Sequence, residues 1–271
     1  MANSFPQVMT IAGSDCDGSA GMQADMHTFF ARKAYGISVM TAAVAGNSYG
    51  IHDATALSPD FIDSQFKAIA DDFKVLATKT GMLTDSTTIQ TVAKNYKQYD
   101  FGPLVLDPVI ITKHGNLLLE QAAYETLRQE LIPLATVITP NFFELEKLAD
   151  MTITTDADML TAAKKLQALG AKNVVAKGAH HEDTNLTEVK DLLLLENGET
   201  FWLSEPYHPT QRINGTGDAL SACITAEIGK GAGIEAAVRI AKTLVNQAIE
   251  RELAVGHKFG PINIWALETT D

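Results

Sequence analysis

The sequence contains little cysteine and little positive charge. Its 271 residues include only two cysteines, Cys16 and Cys223, which lie far apart and have no neighbours at the spacing of metal ligands. We therefore expect two free thiols, with neither a disulfide framework nor a zinc site. Lys and Arg total 21 against 33 for Asp and Glu, a formal net charge of −12, and there is no basic run. This balance argues against nucleic acid as a partner.

Long apolar runs are absent as well. The longest stretch without a formally charged side chain, residues 34–51, is interrupted by glycine, serine, threonine and asparagine, so it does not resemble a membrane-spanning helix. Residues 1–7 carry no basic side chain, and the apolar segment after them ends at Asp15, unlike a secretory signal. We expect a cytoplasmic protein. A hydrophobic share of 46% is typical of a chain that forms a core.

Short apolar runs predict the fold class. Six of them are typical of strands in a parallel sheet covered on both faces: residues 8–12, 37–44, 76–80, 104–109, 135–139 and 173–177. Helical patterns occupy residues 58–73, 121–131, 156–169, 217–228 and 233–252. A hairpin joins 192–195 to 200–203 through Asn197-Gly198, a pair typical of a type I′ turn. We predict a three-layer α/β/α sandwich with a mostly parallel central sheet and antiparallel edge strands, in one domain over residues 1–271.

The segment Asn214-Gly215-Thr216-Gly217-Asp218 stands directly before a helical pattern. Its two glycines allow successive backbone N–H groups and the helix N-terminus to face one point, which forms an anion site. Asp218 would then be placed to accept the proton of a hydroxyl that attacks a bound phosphate. The alternative is that the glycines only form a turn and that Asp218 is an N-terminal cap.

A second glycine-rich segment follows the first predicted strand. Gly13, Gly18 and Gly21 match the dinucleotide fingerprint only loosely, because their spacing departs from G-x-G-x-x-G. The Lys-Ser or Lys-Thr pair of a P-loop does not follow them. A dinucleotide-dependent oxidoreductase is therefore the weaker hypothesis.

Polar side chains stand at the ends of three predicted strands: Asp107, then Asn141 with Glu144, then Lys177 with Gly178. Ligands of open α/β sheets bind at the carboxyl ends of the strands. Asn141 and Glu144 could hold a hydrated Mg²⁺ through their oxygens, or they could be a capping pair at a helix start. The convergence of three strand ends favours a functional site.

The histidines give a weaker signal. His52 lies in a predicted loop after the second strand and could stack on or hydrogen-bond to a substrate, although a lone loop histidine is usually just solvated. His180 and His181 stand beside two acidic residues, as in an exposed polar loop, and we assign them no metal.

Seven segments form an ordered set along the chain: TIAGSD at 10–15, GMQAD at 21–25, KTGML at 79–83, DPV at 107–109, TPN at 139–141, KG at 177–178 and GTGD at 215–218. Together they resemble the ribokinase superfamily and, within it, the hydroxymethylpyrimidine kinase branch. That branch contains kinases of hydroxymethylpyrimidine and its monophosphate and, in Gram-positive bacteria, kinases of pyridoxal and pyridoxine. The resemblance implies a ribokinase-like fold, MgATP as the phosphoryl donor and a homodimer.

The same resemblance implies a role for each matched position, with Asp218 as the catalytic base. It assigns Gly215, Thr216 and Gly217 to the anion hole, Asn141, Glu144, Lys177 and Gly178 to ATP, Asp107 and Glu144 to Mg²⁺, and Gly13, Asp25, Gly46, His52, Met82 and Val109 to the acceptor pocket.

Three positions depart from the branch. Asp218 stands where the branch usually carries cysteine, although the wider superfamily uses aspartate as the base. The lid segment 110–113 lacks the cysteine of the pyridoxal kinases, which excludes thiol attack on the pyridoxal aldehyde from that lid. Gly46 stands where hydroxymethylpyrimidine kinases carry a glutamine that pairs with the aminopyrimidine edge. Segment 48–53, with Tyr49 and His52, resembles the pyridoxal branch instead.

These observations lead to a main hypothesis and three alternatives. The main one is an ATP- and Mg²⁺-dependent kinase of the hydroxymethyl group of pyridoxal, pyridoxine or pyridoxamine. The alternatives are the hydroxymethylpyrimidine kinase, a catalytically idle ligand-binding regulator on the same fold and, more distantly, the oxidoreductase. The complete Gly-Thr-Gly-Asp segment argues against the idle regulator.

Overall fold

A computed structural model describes residues 4–110, 121–178 and 186–267. The sheet has nine strands in the order β3-β2-β1-β4-β5-β6-β7-β8-β9. Their bounds are Gln7–Asp15 (β1), Tyr35–Asn47 (β2), Gly50–Ala56 (β3), Ala77–Thr80 (β4), Leu104–Leu106 (β5), Val137–Ile138 (β6), Asn173–Ala176 (β7), Glu188–Leu194 (β8) and Thr200–Pro206 (β9). The six strands from β2 to β7 in this order are parallel, while β3 at one edge and β8 and β9 at the other are antiparallel.

Helices cover both faces of the sheet. They are Gly21–Ala31 (α1), Pro59–Ala70 (α2), Ser86–Gln98 (α3), Gln121–Thr126 (α4), Phe142–Ala149 (α5), Asp156–Ala168 (α6), Thr216–Gly229 (α7) and Ile234–Glu250 (α8). Strand residues such as Met9 and Ile11 pack under α2 to α6, whereas Val8 and Val105 pack under α1, α7 and α8. This alternation along the strands confirms the predicted three-layer sandwich with antiparallel edges.

Three elements were not predicted, namely α1, α3 and β3, and the start of α5 was given only as the capping alternative at Asn141. The side chains of β3 are exposed throughout, so the strand carries no apolar alternation. Helix α1 starts at a glycine and its apolar residues do not form a stripe, and α3 is rich in threonine. Helix α1 and strand β3 thus lack the contrast of one apolar and one polar face that pattern recognition requires, whereas α3 has a buried face that is partly made of threonine and asparagine.

The predicted hairpin is confirmed, but its turn is of a different type. Gly198 has φ +89°, Asn197 does not have a positive φ, and the Gly198 N–H donates to the Leu195 carbonyl oxygen at 2.9 Å. A type I′ turn needs positive φ at both central residues, so the type I′ prediction is wrong. The geometry is that of a type I turn followed by a glycine bulge.

Several other expectations can be compared with the structure. Helix α2 begins after the Ser58 cap, as predicted, but ends at Ala70, which leaves Phe73 outside it. Both cysteines are free, Cys16 on the surface and Cys223 on the buried face of α7. Within the described residues, no helix is long and apolar enough to span a bilayer. Lid residues 111–113 and the histidines at 180 and 181 lie outside the described residues.

Candidate active site

The N-terminus of α7 lies at the carboxyl edge of the sheet. Gly215 precedes the helix with φ +78°, and no side chain caps the helix. Thr216 donates its N–H to the Ile213 carbonyl oxygen, whereas the N–H groups of Gly217 and Asp218 have no acceptor among the described residues. These two donors are the first-turn groups that a helix leaves for a ligand. Of the predicted segment, Thr216 therefore does not offer its N–H, whereas the N–H groups of Gly217 and the following Asp218 are placed to receive an anion.

Gly215 is required by its surroundings. Its positive φ disfavours any L side chain, and a Cβ built there would lie 2.3 Å from the carbonyl oxygen of Ser19, in the loop between β1 and α1. Gly217 is different, because a Cβ there would meet only Asp107 Oδ2 and Lys177 Nζ, each at 3.5 Å. The open face of Gly217 thus points at two of the predicted nucleotide residues.

Asp218 lies close to one buried cation, Lys79, and to a second carboxylate, Asp107. Its side chain is 18% exposed, and its Oδ1 lies 3.9 Å from Lys79 Nζ. Burial raises the pKa of Asp218, and Lys79 opposes that rise while Asp107 adds to it. A partly exposed carboxylate with an elevated pKa, at a helix N-terminus that offers free N–H groups, is suited to act as a general base.

Asp25 does not line an open pocket. It has no exposed surface, its Oδ1 pairs with Lys79 Nζ at 2.6 Å, and its Oδ2 accepts the Thr10 hydroxyl at 2.6 Å. The prediction that Asp25 contacts the acceptor is therefore corrected. Its side chain points from α1 to the sheet, where it is fully buried, and it leaves no surface for the acceptor. Burial raises the pKa of Asp25 to about 7 although Lys79 opposes this.

Sequence reasoning did not single out Lys79, although it could have. It lies on β4, a strand whose residues are all buried, and its own exposure is 0%. Lysine is almost never fully buried without a partner, so a lysine inside a buried strand signals a buried carboxylate. Burial alone would lower the pKa of Lys79, but the carboxylates of Asp25, Asp218 and Asp107 outweigh this effect and raise it.

The strand ends carry the other predicted groups to the same edge. Asp107 follows β5 and is 5% exposed, and its Oδ1 lies 4.0 Å from Nζ of Lys177, which follows β7. Gly178 donates its N–H to Asp191 Oδ1, and a Cβ there would lie 2.0 Å from the Lys190 carbonyl oxygen. Asp107 and Lys177 therefore face Gly217 together, while Gly178 is turned towards β8.

Asn141 and Glu144 form the capping box of α5. The Asn141 side chain accepts the Glu144 N–H at 3.0 Å, and Glu144 Oε2 accepts the Asn141 N–H at 2.8 Å. Glu144 Oε1 accepts the Ile110 N–H at 2.9 Å, and burial raises the pKa of Glu144 to about 7. The capping alternative is therefore realised, and Glu144 also ties the chain after β5 to α5.

The described part of the chain contains no cluster of three possible metal ligands. Mg²⁺ usually keeps several waters and takes one or two protein carboxylates together with substrate phosphates. Asp107 fits such a site as an oxygen ligand, and Glu144, whose oxygens each accept one N–H, fits as a contact through water.

Three of the predicted acceptor residues lie on neighbouring strand ends. A Cβ at Gly13 would meet the Met82 methyl group at 2.9 Å, so Gly13 lies directly against the end of the Met82 side chain. Val109 has φ +43°, which is unfavourable for a β-branched residue and marks stored strain after Asp107-Pro108. Such strain is concentrated at functional sites.

Gly46 and His52 belong to the hairpin of β2 and β3. The register passes from Ala45 opposite Asp53 to Gly46 opposite Ile51, so His52 is the extra residue of a β-bulge and not part of a loop as predicted. A Cβ at Gly46 would lie 3.1 Å from the Gly50 carbonyl oxygen. Position 46 therefore faces the partner strand, and the side chain of His52 is exposed.

A cavity of about 230 Å³ lies beside this centre. Its lining combines the turn after β2, the loop after β1 and the segment before residue 262, and includes Ser19, Tyr49, His257 and Phe259. Asp107, Lys177 and Asp218 do not line it. The converging charges, and not this cavity, define the candidate active site.

Comparison with known proteins gives the family. The phosphomethylpyrimidine kinase family model matches residues 15–263. A hydroxymethylpyrimidine/phosphomethylpyrimidine kinase of Haemophilus influenzae is 43% identical over 260 residues, 96% of this chain and 97% of that protein. A Bacillus subtilis protein of the same name is 38% identical over 266 residues, 98% and 97% of the two chains.

Among solved structures, the ADP complex of Bacillus subtilis pyridoxal kinase matches with a TM-score of 0.90 at 36% identity, over 98% of this chain and 100% of that one. The resemblance to the vitamin-kinase branch of the ribokinase superfamily is thereby confirmed. The chain belongs to the phosphomethylpyrimidine kinase family of phosphotransferases.

Proposed function

We propose that the protein transfers the γ-phosphoryl group of ATP to the hydroxymethyl group of hydroxymethylpyrimidine and then phosphorylates the resulting monophosphate. The observation that carries the transfer is the N-terminus of α7, where the Asp218 carboxylate lies together with the N–H groups of Gly217 and Asp218, which have no acceptor among the described residues. Asp107 and Lys177 face the same point. A base, an anion site and a cation around one point are what phosphoryl transfer needs.

The first step follows from this arrangement. The Asp218 carboxylate takes the proton of the acceptor hydroxyl as the hydroxyl oxygen forms a bond to the γ-phosphorus. The bond between that phosphorus and the bridging oxygen breaks, and its electron pair leaves with ADP. The N–H groups of Gly217 and Asp218 and the Lys177 ammonium stabilise the negative charge on the transferred phosphoryl oxygens.

Residues at the ends of β5 and β6 would hold Mg²⁺. Asp107 would contact the ion directly, and Glu144 would contact it through water. When bound, Mg²⁺ neutralises phosphate charge. Asn141, at the start of α5, and Lys177 would position the phosphates beside Gly217. The pyridoxal kinase that matches this fold was solved with ADP, which supports ATP as the donor.

The choice of acceptor depends on two observations that point in different directions. The relatives at 43% and 38% identity carry the pyrimidine kinase name, which favours hydroxymethylpyrimidine over the vitamin B6 acceptor favoured by the sequence. Vitamin B6 is the second candidate, because Gly46 offers no amide to the aminopyrimidine edge and the matching structure is a pyridoxal kinase. A site that cannot hydrogen-bond its substrate discriminates only about 10–200-fold, so activity on both is expected.

A coupled ADP-release assay with each acceptor tests the proposal. We expect turnover with hydroxymethylpyrimidine and its monophosphate and a lower kcat/KM with pyridoxal and pyridoxine. The reverse ranking would establish the vitamin B6 kinase instead, and His52→Ala should then raise the KM for pyridoxal. Binding of ADP and acceptor without turnover would indicate the idle regulator, and tight binding of NAD(P) without ADP release would indicate an oxidoreductase.

A further inference from the structure

A fully buried ion pair lies directly beneath the catalytic carboxylate. Lys79 of β4 and Asp25 of α1 both have 0% side-chain exposure and are joined at 2.6 Å. Thr10, opposite Lys79 in the register of β1 and β4, donates to the other Asp25 oxygen. The pair itself is closed to solvent, whereas Asp218, whose Oδ1 lies 3.9 Å from Lys79 Nζ, is 18% exposed.

Two distances describe what the pair does to Asp218. Lys79 Nζ is 2.6 Å from Asp25 Oδ1 and 3.9 Å from Asp218 Oδ1. At 2.6 Å the ammonium donates a charge-assisted hydrogen bond, whereas at 3.9 Å it acts by its field alone. Asp25 thus holds the cation back from the base.

The charges that surround this ammonium come from each element packed on it. Asp25 approaches from α1, Asp218 from the first turn of α7 and Asp107 from the end of β5, while Lys177, beside Asp107, adds a second cation. With Asp25 removed, Asp218 would be the nearest carboxylate left to Lys79. A direct Lys79–Asp218 pair would occupy the oxygen that must accept the substrate proton.

Stability does not explain the pair, because a buried ion pair is often replaced by neutral groups without loss. Helices α1 and α7, which carry Asp25 and Asp218, are already joined at their C-terminal ends by Arg32, which follows α1, and Glu227 of α7. These side chains are each 7% exposed and 2.8 Å apart. Glu227 lies nine residues after Asp218, roughly 13 Å along the helix. This second pair supplies a matched control.

We propose that Asp25 and Lys79 are positioning residues for Asp218: Asp25 anchors the Lys79 ammonium at a distance that keeps Asp218 ionised but leaves its carboxylate free to take the acceptor proton. The inference rests on the proposed function for Asp218. It adds two residues to the phosphoryl-transfer machinery that touch neither substrate.

The test compares Lys79→Met, Asp25→Asn and the double variant carrying both changes, with Arg32→Met/Glu227→Gln as control. Lys79→Met removes the cation that opposes the raised pKa of Asp218, so the acidic limb of the kcat/KM profile should move up by about one pH unit or more. Asp25→Asn releases the Lys79 ammonium, which then pairs with Asp218. The acidic limb should therefore shift to lower pH, and kcat should fall at every pH. KM should hold in both variants.

The double variant keeps the proposal testable if a single variant fails to fold, because it leaves no unpaired buried charge. Its acidic limb should move up as in Lys79→Met, while the control pair should keep the wild-type profile. Opposite shifts in the two single variants are a result that a purely structural role cannot give. Unmoved limbs, or shifts of both single variants in one direction, would overturn the proposal.

A second readout separates this inference from the proposed function. Titration of the Asp218 carboxyl by carbon-13 NMR, with Asp218→Asn to assign the signal, needs no substrate. If the wild type phosphorylates neither acceptor, the proposed function fails, yet the opposite shifts of the Asp218 signal in Lys79→Met and Asp25→Asn still decide the inference.

Discussion

Helices α5 and α7 both begin at the carboxyl edge of the sheet, and they begin in opposite ways. Helix α5 starts with a reciprocal capping box, in which Asn141 and Glu144 satisfy each other's backbone N–H. Helix α7 starts at Gly215, without a side-chain cap, and leaves the Gly217 and Asp218 N–H groups unpartnered among the described residues. Closed caps stabilise a scaffold, whereas open ones bind ligands.

The largest effect should come from the open end. Asp218→Asn keeps the size and polarity of the side chain but removes the proton acceptor, so kcat should fall by about 10²–10⁴-fold with little change in either KM. Steady-state kinetics with both substrates will measure this. Wild-type turnover would show that Asp218 is only part of the helix start, as in α5.

The second-largest effect should come from a bulky side chain at the uncapped N-terminus of α7. Gly217→Val meets only ordinary contacts at its Cβ, so the protein should fold, but its methyl groups would cover the N–H donors of the first turn. We expect a raised KM for ATP together with a lowered kcat. Thermal unfolding checks the fold, and kinetics unaltered from the wild type would remove the anion site from the model.

The capped N-terminus of α5 should make the stability of the protein depend on pH. Burial raises the pKa of Glu144 to about 7, so the folded protein holds this proton more tightly than the unfolded chain. Its contribution to the free energy of unfolding therefore falls as pH rises from about 4.5 to 7, by at most about 3 kcal/mol. Glu144→Gln cannot titrate, so its Tm should change less than that of the wild type between pH 5 and pH 7. An identical pH dependence would contradict this.

The smallest expected effect separates capping from ligand binding. Asn141→Ala and Thr155→Ala each remove the side-chain cap of a capping box, on α5 and α6 respectively, and each should cost about 1 kcal/mol of stability. Only Asn141→Ala, at the candidate site, should also raise the KM for ATP. Equal kinetics in the two variants would make Asn141 a cap alone.

The sequence predicted the layers of the fold because buried parallel strands and amphipathic helices leave periodic patterns. It also predicted that the strand ends followed by Asp107, Glu144 and Lys177 meet at one edge, since parallel strand ends lie side by side. It could not place Asp25, because whether a polar residue of α1 faces a pocket or a partner depends on residue 79, a long-range contact that no local pattern records. The bulge at His52 was missed for the same reason, since register is a property of two strands.

The contact of Gly215 with Ser19 bears on how this protein can evolve. Two features exclude a side chain at position 215: its positive φ, and the Ser19 carbonyl oxygen that lies where a Cβ would be. Position 217 is open, because a methyl group fits there at ordinary distances. A substitution at 217 can therefore be accepted by the fold and limited only by its effect on activity, whereas a change at 215 requires a compensating rearrangement of the loop after β1.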